Sequence, residues 1–190
     1  MFTSHTRVRA AGYCLAATLL IHLWPTGLSA QSSFIAGGVT YAVPSGSMAD
    51  AFAPAPGTAL TYGSRAFCNV WTGVRFAYTQ LVAGDEAHEN AVDYEVSLAP
   101  EVRYFPIDPM TFPGYLRGSI ELSVVSAPHA GTPVGLGAGA GIGILFPYTS
   151  ACCGWFLDLS AGYRAPNLIR DEDRSLLSAF VLGLSLNIGL

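Results

Sequence analysis

The sequence predicts an all-β fold, an eight-stranded antiparallel transmembrane β-barrel of the outer-membrane type. Three features support this prediction: strict apolar alternation, one strand face made almost entirely of glycine, and charges that fall on a single parity. In Val134–Phe146 the even positions are apolar, and the odd positions from 135 to 143 are all glycine. Ser175–Leu190 repeats the alternation, with an apolar residue at most even positions. Such segments meet the length of about ten residues that a tilted strand needs to cross a bilayer.

The N-terminus has the organisation of a secretory signal peptide. Two arginines precede an apolar segment, Ala10–Trp24, and the small residues of Leu28-Ser29-Ala30 suit cleavage before Gln31. A retained membrane anchor is the alternative, but the apolar segment is shorter than the roughly 18 residues that a spanning helix needs. We therefore predict a cleaved signal peptide at residues 1–30 and one barrel domain at residues 31–190, located in the outer membrane of a Gram-negative envelope.

The composition fits a barrel and argues against a nucleic-acid partner. The 190 residues are 51% hydrophobic and carry 9 Lys+Arg against 13 Asp+Glu, a formal net charge of −4. All the basic residues are arginine, and they form no basic stripe. A protein that binds nucleic acid needs such a stripe to neutralise phosphates.

Alternation and turn signals divide the mature chain into eight candidate strands. These are Phe34–Val43, Leu60–Phe67, Val70–Leu81, Ala91–Phe105, Phe112–Val125, Val134–Phe146, Gly154–Arg164 and Ser175–Leu190. Their connections are expected to alternate in length, as in outer-membrane barrels. The long connections, expected outside the cell, are 44–59, 82–90, 126–133 and 165–174, and the short ones, expected in the periplasm, are 68–69, 106–111 and 147–153.

The same alternation separates charged from apolar side chains. Even-numbered residues are predicted to face lipid in Ala91–Phe146, and odd-numbered residues in Gly154–Arg164. The charged residues then point inward, where they must be paired and hydrogen-bonded to persist. We expect a charge-balanced lumen network that fills the barrel and acts as a plug, composed of Arg75, Asp93, Glu95, Glu101, Arg103, Arg117, Glu121 and Asp158.

Three details of the interior follow from this prediction. A symmetric turn at 106–111 would place Glu101 opposite Arg117 as an ion pair. Arg65 and Arg164 have the inward parity, but both are expected near strand ends in water. The glycine face of 134–146 should leave room for the long charged side chains. Aromatic residues toward strand ends suggest girdles at the headgroup level, namely Tyr41, Tyr78, Tyr94, Tyr104, Tyr115, Tyr148, Trp155 and Tyr163.

Catalytic and metal-binding constellations are scarce, and we predict no catalytic residue, metal site or cofactor. His88 and His129 fall in predicted loops without a serine or carboxylate at triad spacing. The acidic segment around His88 is interpreted as an exposed loop, with metal binding by His88, Asp85, Glu86 and Glu89 as the alternative. The run Asp171–Asp173 is interpreted as a charged loop tip, with cation or lipopolysaccharide contact as the alternative. Cys152-Cys153 lacks the second pair that zinc requires. A disulfide between one of them and Cys68 is an open alternative in an oxidising periplasm. It would leave one of the three cysteines unpaired.

The order of several short motifs resembles small bacterial outer-membrane barrels. These motifs are Leu98–Phe105, Gly114–Gly118, the glycine-alternating strand and Leu159–Arg164. The second half of the chain is similar to the lipid A deacylase (acyloxyacyl hydrolase-like) barrels. That resemblance implies a His-x-Ser motif directly after Gly162-Tyr163-Arg164, but Ala165–Arg170 contains neither residue. We therefore carry over the fold alone and expect no deacylation of lipid A.

The favoured function is that of a small non-enzymatic outer-membrane protein with a structural or surface-interaction role. Three alternatives remain: a lipid A deacylase-like enzyme, active or degenerate, a narrow pore for small solutes, and a soluble lipocalin-like barrel. The expected partners are outer-membrane lipid, lipopolysaccharide and the barrel-assembly machinery. The machinery would contact the C-terminal strand, although the chain ends in Leu190 and not in the usual aromatic residue. We expect a monomer.

Overall fold

A computed structural model describes residues 33–46, 49, 52–83, 92–107, 112–126, 134–147, 154–169 and 178–190. The predicted signal peptide lies outside these residues. The strands are β1 (Ser33–Pro44), β2 (Phe52–Ala53), β3 (Ala55–Phe67), β4 (Val70–Ala83), β5 (Val92–Tyr104), β6 (Gly114–Ser126), β7 (Val134–Pro147), β8 (Trp155–Ile169) and β9 (Ala179–Gly189). Among the described residues, no helix is long and apolar enough to span a bilayer.

The eight long strands close into one antiparallel barrel, which confirms the predicted fold. Each long strand pairs with the long strand before and after it along the chain. β1 closes the ring by pairing with β9, from Phe34 opposite Gly189 to Pro44 opposite Ala179. The short β2 pairs only with the last two residues of β4. Closure leaves none of the long strands with an unpaired edge, so their backbone groups are satisfied without water.

The barrel has two ends, which we call the terminal end and the distal end. The terminal end carries the first residue of β1, the last residue of β9 and the connections 68–69, 105–113 and 148–154, whereas the distal end carries the other connections. The predicted contrast in connection length is weak, since 105–113 is longer than the distal connection 127–133. The reason is that β5 ends at Tyr104 and β6 begins only at Gly114 but extends to Ser126.

The extension of β8 passes through an irregularity. The pairing of β7 with β8 shifts register between Leu136 and Ala138, opposite the segment that contains Pro166. Proline lacks an N–H and is tolerated in a strand at such a bulge. The Pro166 carbonyl accepts a hydrogen bond from Ser123 Oγ at 3.0 Å. This bulge lets the strand continue beyond Arg164, where the sequence predicted a loop.

The outer surface of the barrel is apolar, and the predicted alternation of faces is confirmed. Ile120 and Ile142 are each 60% exposed, whereas the odd-numbered Glu95 and Glu101 on β5 are buried. On β8 the parity reverses as predicted, with Leu157 among the exposed residues. Large apolar side chains therefore cover the outside, and charged side chains lie inside.

A glycine stripe on β7 forms one wall of the interior. We use this name for Gly135, Gly137, Gly139, Gly141 and Gly143. Each glycine is paired in the β6–β7 register with an inward residue of β6, in the order Ser123, Glu121, Ser119, Arg117 and Tyr115. At Gly139 and Gly143 a side chain would take the space that these residues use: a Cβ at Gly139 would lie 2.7 Å from Ser119 Oγ, and one at Gly143 would overlap the Tyr115 ring. At Gly137 and Gly141 a Cβ would meet the backbone of β8. The bare wall is what admits the long polar side chains.

We predict that Gly143→Ala lowers the free energy of unfolding by about 1–3 kcal/mol, because overpacking strains a filled interior. The added Cβ would overlap the ring of Tyr115. Gly118→Ala is the matched control, since a Cβ at Gly118 meets no atom within 4 Å. Its effect should stay within about 0.5 kcal/mol. Urea unfolding of the purified protein in detergent measures both, and equal losses would contradict the role of the stripe.

Candidate functional site

The charged interior near the terminal end is organised by Arg103. Its Nε donates to Glu101 Oε1 at 2.8 Å, and its Nη1 donates to Asp158 Oδ2 at 3.1 Å. The Tyr115 hydroxyl donates to the other oxygen of Asp158 at 2.7 Å. All four residues are buried. We call them the Arg103 cluster; it joins β5, β6 and β8 across the lumen.

An aromatic layer lies next to the Arg103 cluster at the terminal end. Ring centroids are 5.2 Å apart for Phe34 and Trp71, 5.7 Å for Trp71 and Phe105, and 5.6 Å for Phe105 and Tyr115. The Arg103 guanidinium lies 4.9 Å from the Phe34 ring centroid and 5.0 Å from that of Tyr115. Such stacking stabilises a desolvated cation. The layer fills the terminal end of the lumen with ring atoms.

A second cluster occupies the distal half of the lumen. Arg164 Nη2 donates to Glu95 Oε2, and Arg164 Nη1 lies 3.7 Å from Glu121 Oε2. Ser119 Oγ donates to Glu121 Oε1 at 3.3 Å. We call Glu95, Glu121 and Arg164 the Arg164 cluster. The expectation that Arg164 lies in water is wrong: it is 7% exposed, because β8 continues beyond it.

Between the two clusters lies a cavity of about 30 Å³. Arg75 of β4 and Arg117 of β6 line it from one side, and the small residues of β9, β1 and β3 line it from the other. Among the described residues, neither arginine has a carboxylate oxygen within 4.0 Å. Within the described part of the interior, these two guanidiniums therefore lack a direct anionic partner.

The predicted pairing of Glu101 with Arg117 is wrong. The residue opposite Glu101 on β6 is Ser119, and the residue opposite Arg117 on β5 is Arg103. The connection between β5 and β6 does not have the symmetric turn at 106–111 that the prediction assumed. The pairing of the two strands is therefore shifted from Arg117 to the next inward residue, Ser119. Glu101 instead bonds to Arg103 on its own strand.

The other candidate residues are distributed as follows. Asp93 lies on β5 opposite Leu81, and its side chain is outside the described residues, as are His88, His129, Asp171–Asp173 and Cys152-Cys153. Arg65 is exposed at the terminal end, where its Nη2 donates to the Cys68 carbonyl at 2.7 Å. Cys68 is exposed and unpaired with any described cysteine.

Tyr115 is the member of the site that the sequence interpretation placed wrongly. It was expected in a girdle facing lipid, but it is 3% exposed and binds Asp158. Its odd number, on a strand whose even positions are apolar, is the signal that indicates an inward side chain. The outward aromatic residues include Tyr94, Tyr104, Trp155 and Tyr163.

The segment that follows Gly162-Tyr163-Arg164 provides no hydrolytic machinery. Ala165 is 6% exposed, and Pro166 is fully buried against the bulge of β8. Within the described ranges, no group of three or more His, Cys, Asp or Glu residues is placed to hold a metal ion.

Solved structures share this fold. Neisserial surface protein A, from Neisseria, has a TM-score of 0.58 and 16% identity, covering 83% of this chain and 97% of that one. Ail of Yersinia pestis has a TM-score of 0.51 and 13% identity, covering 83% and 99%. OprG of Pseudomonas aeruginosa has a TM-score of 0.51 and 10% identity, covering 84% and 94%. No protein-family model and no curated protein sequence matches the chain. The similarity establishes the fold of an outer-membrane β-barrel.

We predict that Glu101 is coupled energetically to Arg103 and much less to Arg117. A double-mutant cycle of Glu101→Gln with Arg103→Met should give a coupling of about 0.5–3 kcal/mol, as for groups in contact. Arg103→Met alone should cost about 3–5 kcal/mol, because it leaves two buried carboxylates unpaired. The measurement is urea unfolding in detergent.

Arg65→Met is the control for loss of an arginine, since Arg65 is exposed. Its cost should be below about 1 kcal/mol. Strictly additive losses in the Arg103 cycle, or a larger coupling in the cycle with Arg117→Met, would contradict the pairing.

Proposed function

We propose that this chain is a small non-enzymatic outer-membrane β-barrel protein with a structural or surface-interaction role. The observation that carries this proposal is the inverted distribution of its side chains. Ile120 and Ile142 project from the outer face, and Glu95, Glu101 and Asp158 are buried inside. A water-soluble protein rarely exposes contiguous apolar surface on this scale. A bilayer is the solvent that such a surface requires.

A soluble lipocalin-like barrel would need the opposite arrangement. Its lumen holds an apolar ligand, so its inward residues are apolar and its outward residues are polar. Here the Arg103 cluster and the Arg164 cluster fill the lumen, and the outward side of β9 carries Phe180, Leu182 and Leu184. This distribution favours the membrane barrel.

The proposed orientation places the terminal end in the periplasm and the distal end outside the cell, as in barrels with an even strand count. In that orientation the distal connections contact lipopolysaccharide and surface partners. The apolar outward side of β9 would be the part that the barrel-assembly machinery recognises. Residues 1–30 would act as the signal peptide, so the mature protein would begin at Gln31. The closed barrel would function as a monomer.

The expected result for the protein in its native cell is recovery in the outer-membrane fraction with Gln31 at its N-terminus. Unheated samples should migrate differently from boiled samples on a gel, because a closed barrel resists detergent until it is heated. Fractionation, N-terminal sequencing and the gel shift provide the measurements. Recovery in the soluble periplasmic fraction would contradict the proposal.

A pair of variants separates a membrane barrel from a soluble one. Ile120→Arg introduces a charge halfway along β6 on the outer face and should cost about 2–4 kcal/mol in lipid vesicles. Ile107→Arg is the control, since Ile107 is exposed beyond the end of β5. Its cost should be within about 0.5 kcal/mol. Equal tolerance of both variants would indicate that the outer face does not contact lipid.

The lipid A deacylase alternative has less support than the non-enzymatic role. The resemblance lies in strand motifs that many barrels share. The segment where the enzymes carry His-x-Ser holds buried Ala165 and Pro166 here. A lipid-facing Ser–His pair would be required for acyl transfer. The described outer face offers no such pair.

The narrow-pore alternative is favoured by one observation, the cavity beside Arg75 and Arg117. However, the aromatic layer lies on one side of this cavity and the Arg164 cluster on the other. We therefore predict that the protein in planar bilayers gives no stepwise conductance, whereas a porin in the same bilayer does. Reproducible conductance steps that change with Arg75→Gln would contradict the structural role and show that the protein is a pore.

A further inference from the structure

The cavity between the two clusters has an excess of positive charge. Its charged lining consists of Arg75, Arg103 and Arg117 against the single carboxylate of Asp158. That carboxylate already accepts hydrogen bonds from Arg103 and Tyr115 on its two oxygens. Among the described residues, Arg75 and Arg117 thus line the cavity without a carboxylate oxygen within 4.0 Å.

Cations in a protein interior require compensation at contact distance. The cost of desolvating a guanidinium is repaid only when its N–H groups meet acceptors, preferably charged ones. The Arg103 and Arg164 clusters each hold two carboxylates against one arginine, so they offset the charge of Arg75 and Arg117 at longer range. They place no carboxylate oxygen within 4.0 Å of Arg75 or Arg117.

The remaining wall of the cavity is rich in hydrogen-bond donors. The hydroxyl-bearing residues that line it are Thr40, Thr61, Ser160 and Ser185. The Arg117 guanidinium is held against bare backbone, since a Cβ at Gly162 would lie 3.1 Å from its Nη2. Gly183 likewise leaves the neighbouring wall open toward Ser160. Hydroxyl and guanidinium donors around one small space make an anion site.

The size of the cavity suits a small ligand. Its volume is about 30 Å³, against the roughly 10–15 Å³ that a single water needs. One monatomic anion and a water fit in this space. We propose that the barrel binds a halide-sized inorganic anion between Arg75 and Arg117, as a built-in counterion of the lumen.

The first test uses bromide as the probe. The protein is crystallised from detergent in sodium bromide, and anomalous diffraction locates bromine. We expect a peak within hydrogen-bonding distance of the Arg75 and Arg117 guanidiniums. The peak should be absent in Arg75→Gln and in Arg117→Gln but present in Arg65→Gln, whose arginine is exposed at the terminal end. A wild-type crystal without bromine in the cavity, or a peak that survives both cavity variants, would overturn the proposal.

The second test does not depend on the variants folding. The urea midpoint of the wild-type protein is measured in sodium chloride and in sodium gluconate at equal ionic strength. Because a ligand that binds only the folded state stabilises it by RT ln(1 + [L]/Kd), the midpoint should rise with chloride and then follow this logarithmic dependence. Gluconate is too large for the cavity and should give no such rise. Identical midpoints in the two salts at every concentration would refute the site.

Discussion

Space inside an eight-stranded barrel is the constraint on which the rest of this structure depends. Side chains fill a lumen of this size, so eight inward faces with full-sized residues would not fit. The glycine stripe of β7 resolves the problem next to β6, where each inward residue is opposite a glycine. Small residues of β9, β1 and β3 leave similar room, and the cavity lies beside them. The charged residues can therefore cross the lumen because part of the wall is bare.

The electrostatic arrangement follows from this packing. Arg103 reaches across the lumen from β5 to Asp158 on β8, and Arg164 reaches back from β8 to Glu95 on β5. Each of these arginines meets two carboxylates, so the end layers are negative, and Arg75 and Arg117 make the middle layer positive. Charges of alternating sign along a narrow interior shielded from bulk water attract one another more strongly than they would in water. The network thus ties opposite walls of the barrel together.

The sequence predicted the fold and the side of each strand because both depend on parity, a local property of the chain. It predicted the pairings poorly, because these depend on register and on strand ends. A shift of one strand repeat moved Glu101 from Arg117 to a position opposite Ser119. Arg164 has the inward parity, but its burial depends on the extension of β8 through the bulge at Pro166. The bond of Arg103 to Asp158 joins strands that are not neighbours, and no pattern within one segment contains that information.

The distinction between interior and exterior also bears on function. An apolar outer face specifies a bilayer but no particular partner, and a lumen occupied by ion pairs and aromatic rings holds no space for a large solute. In the proposed orientation, recognition falls to the distal connections, which include 84–91, 127–133 and 170–178. These connections carry His88, His129 and the acidic run Asp171–Asp173. Such connecting segments carry recognition in many proteins, because a rigid scaffold positions them at the surface.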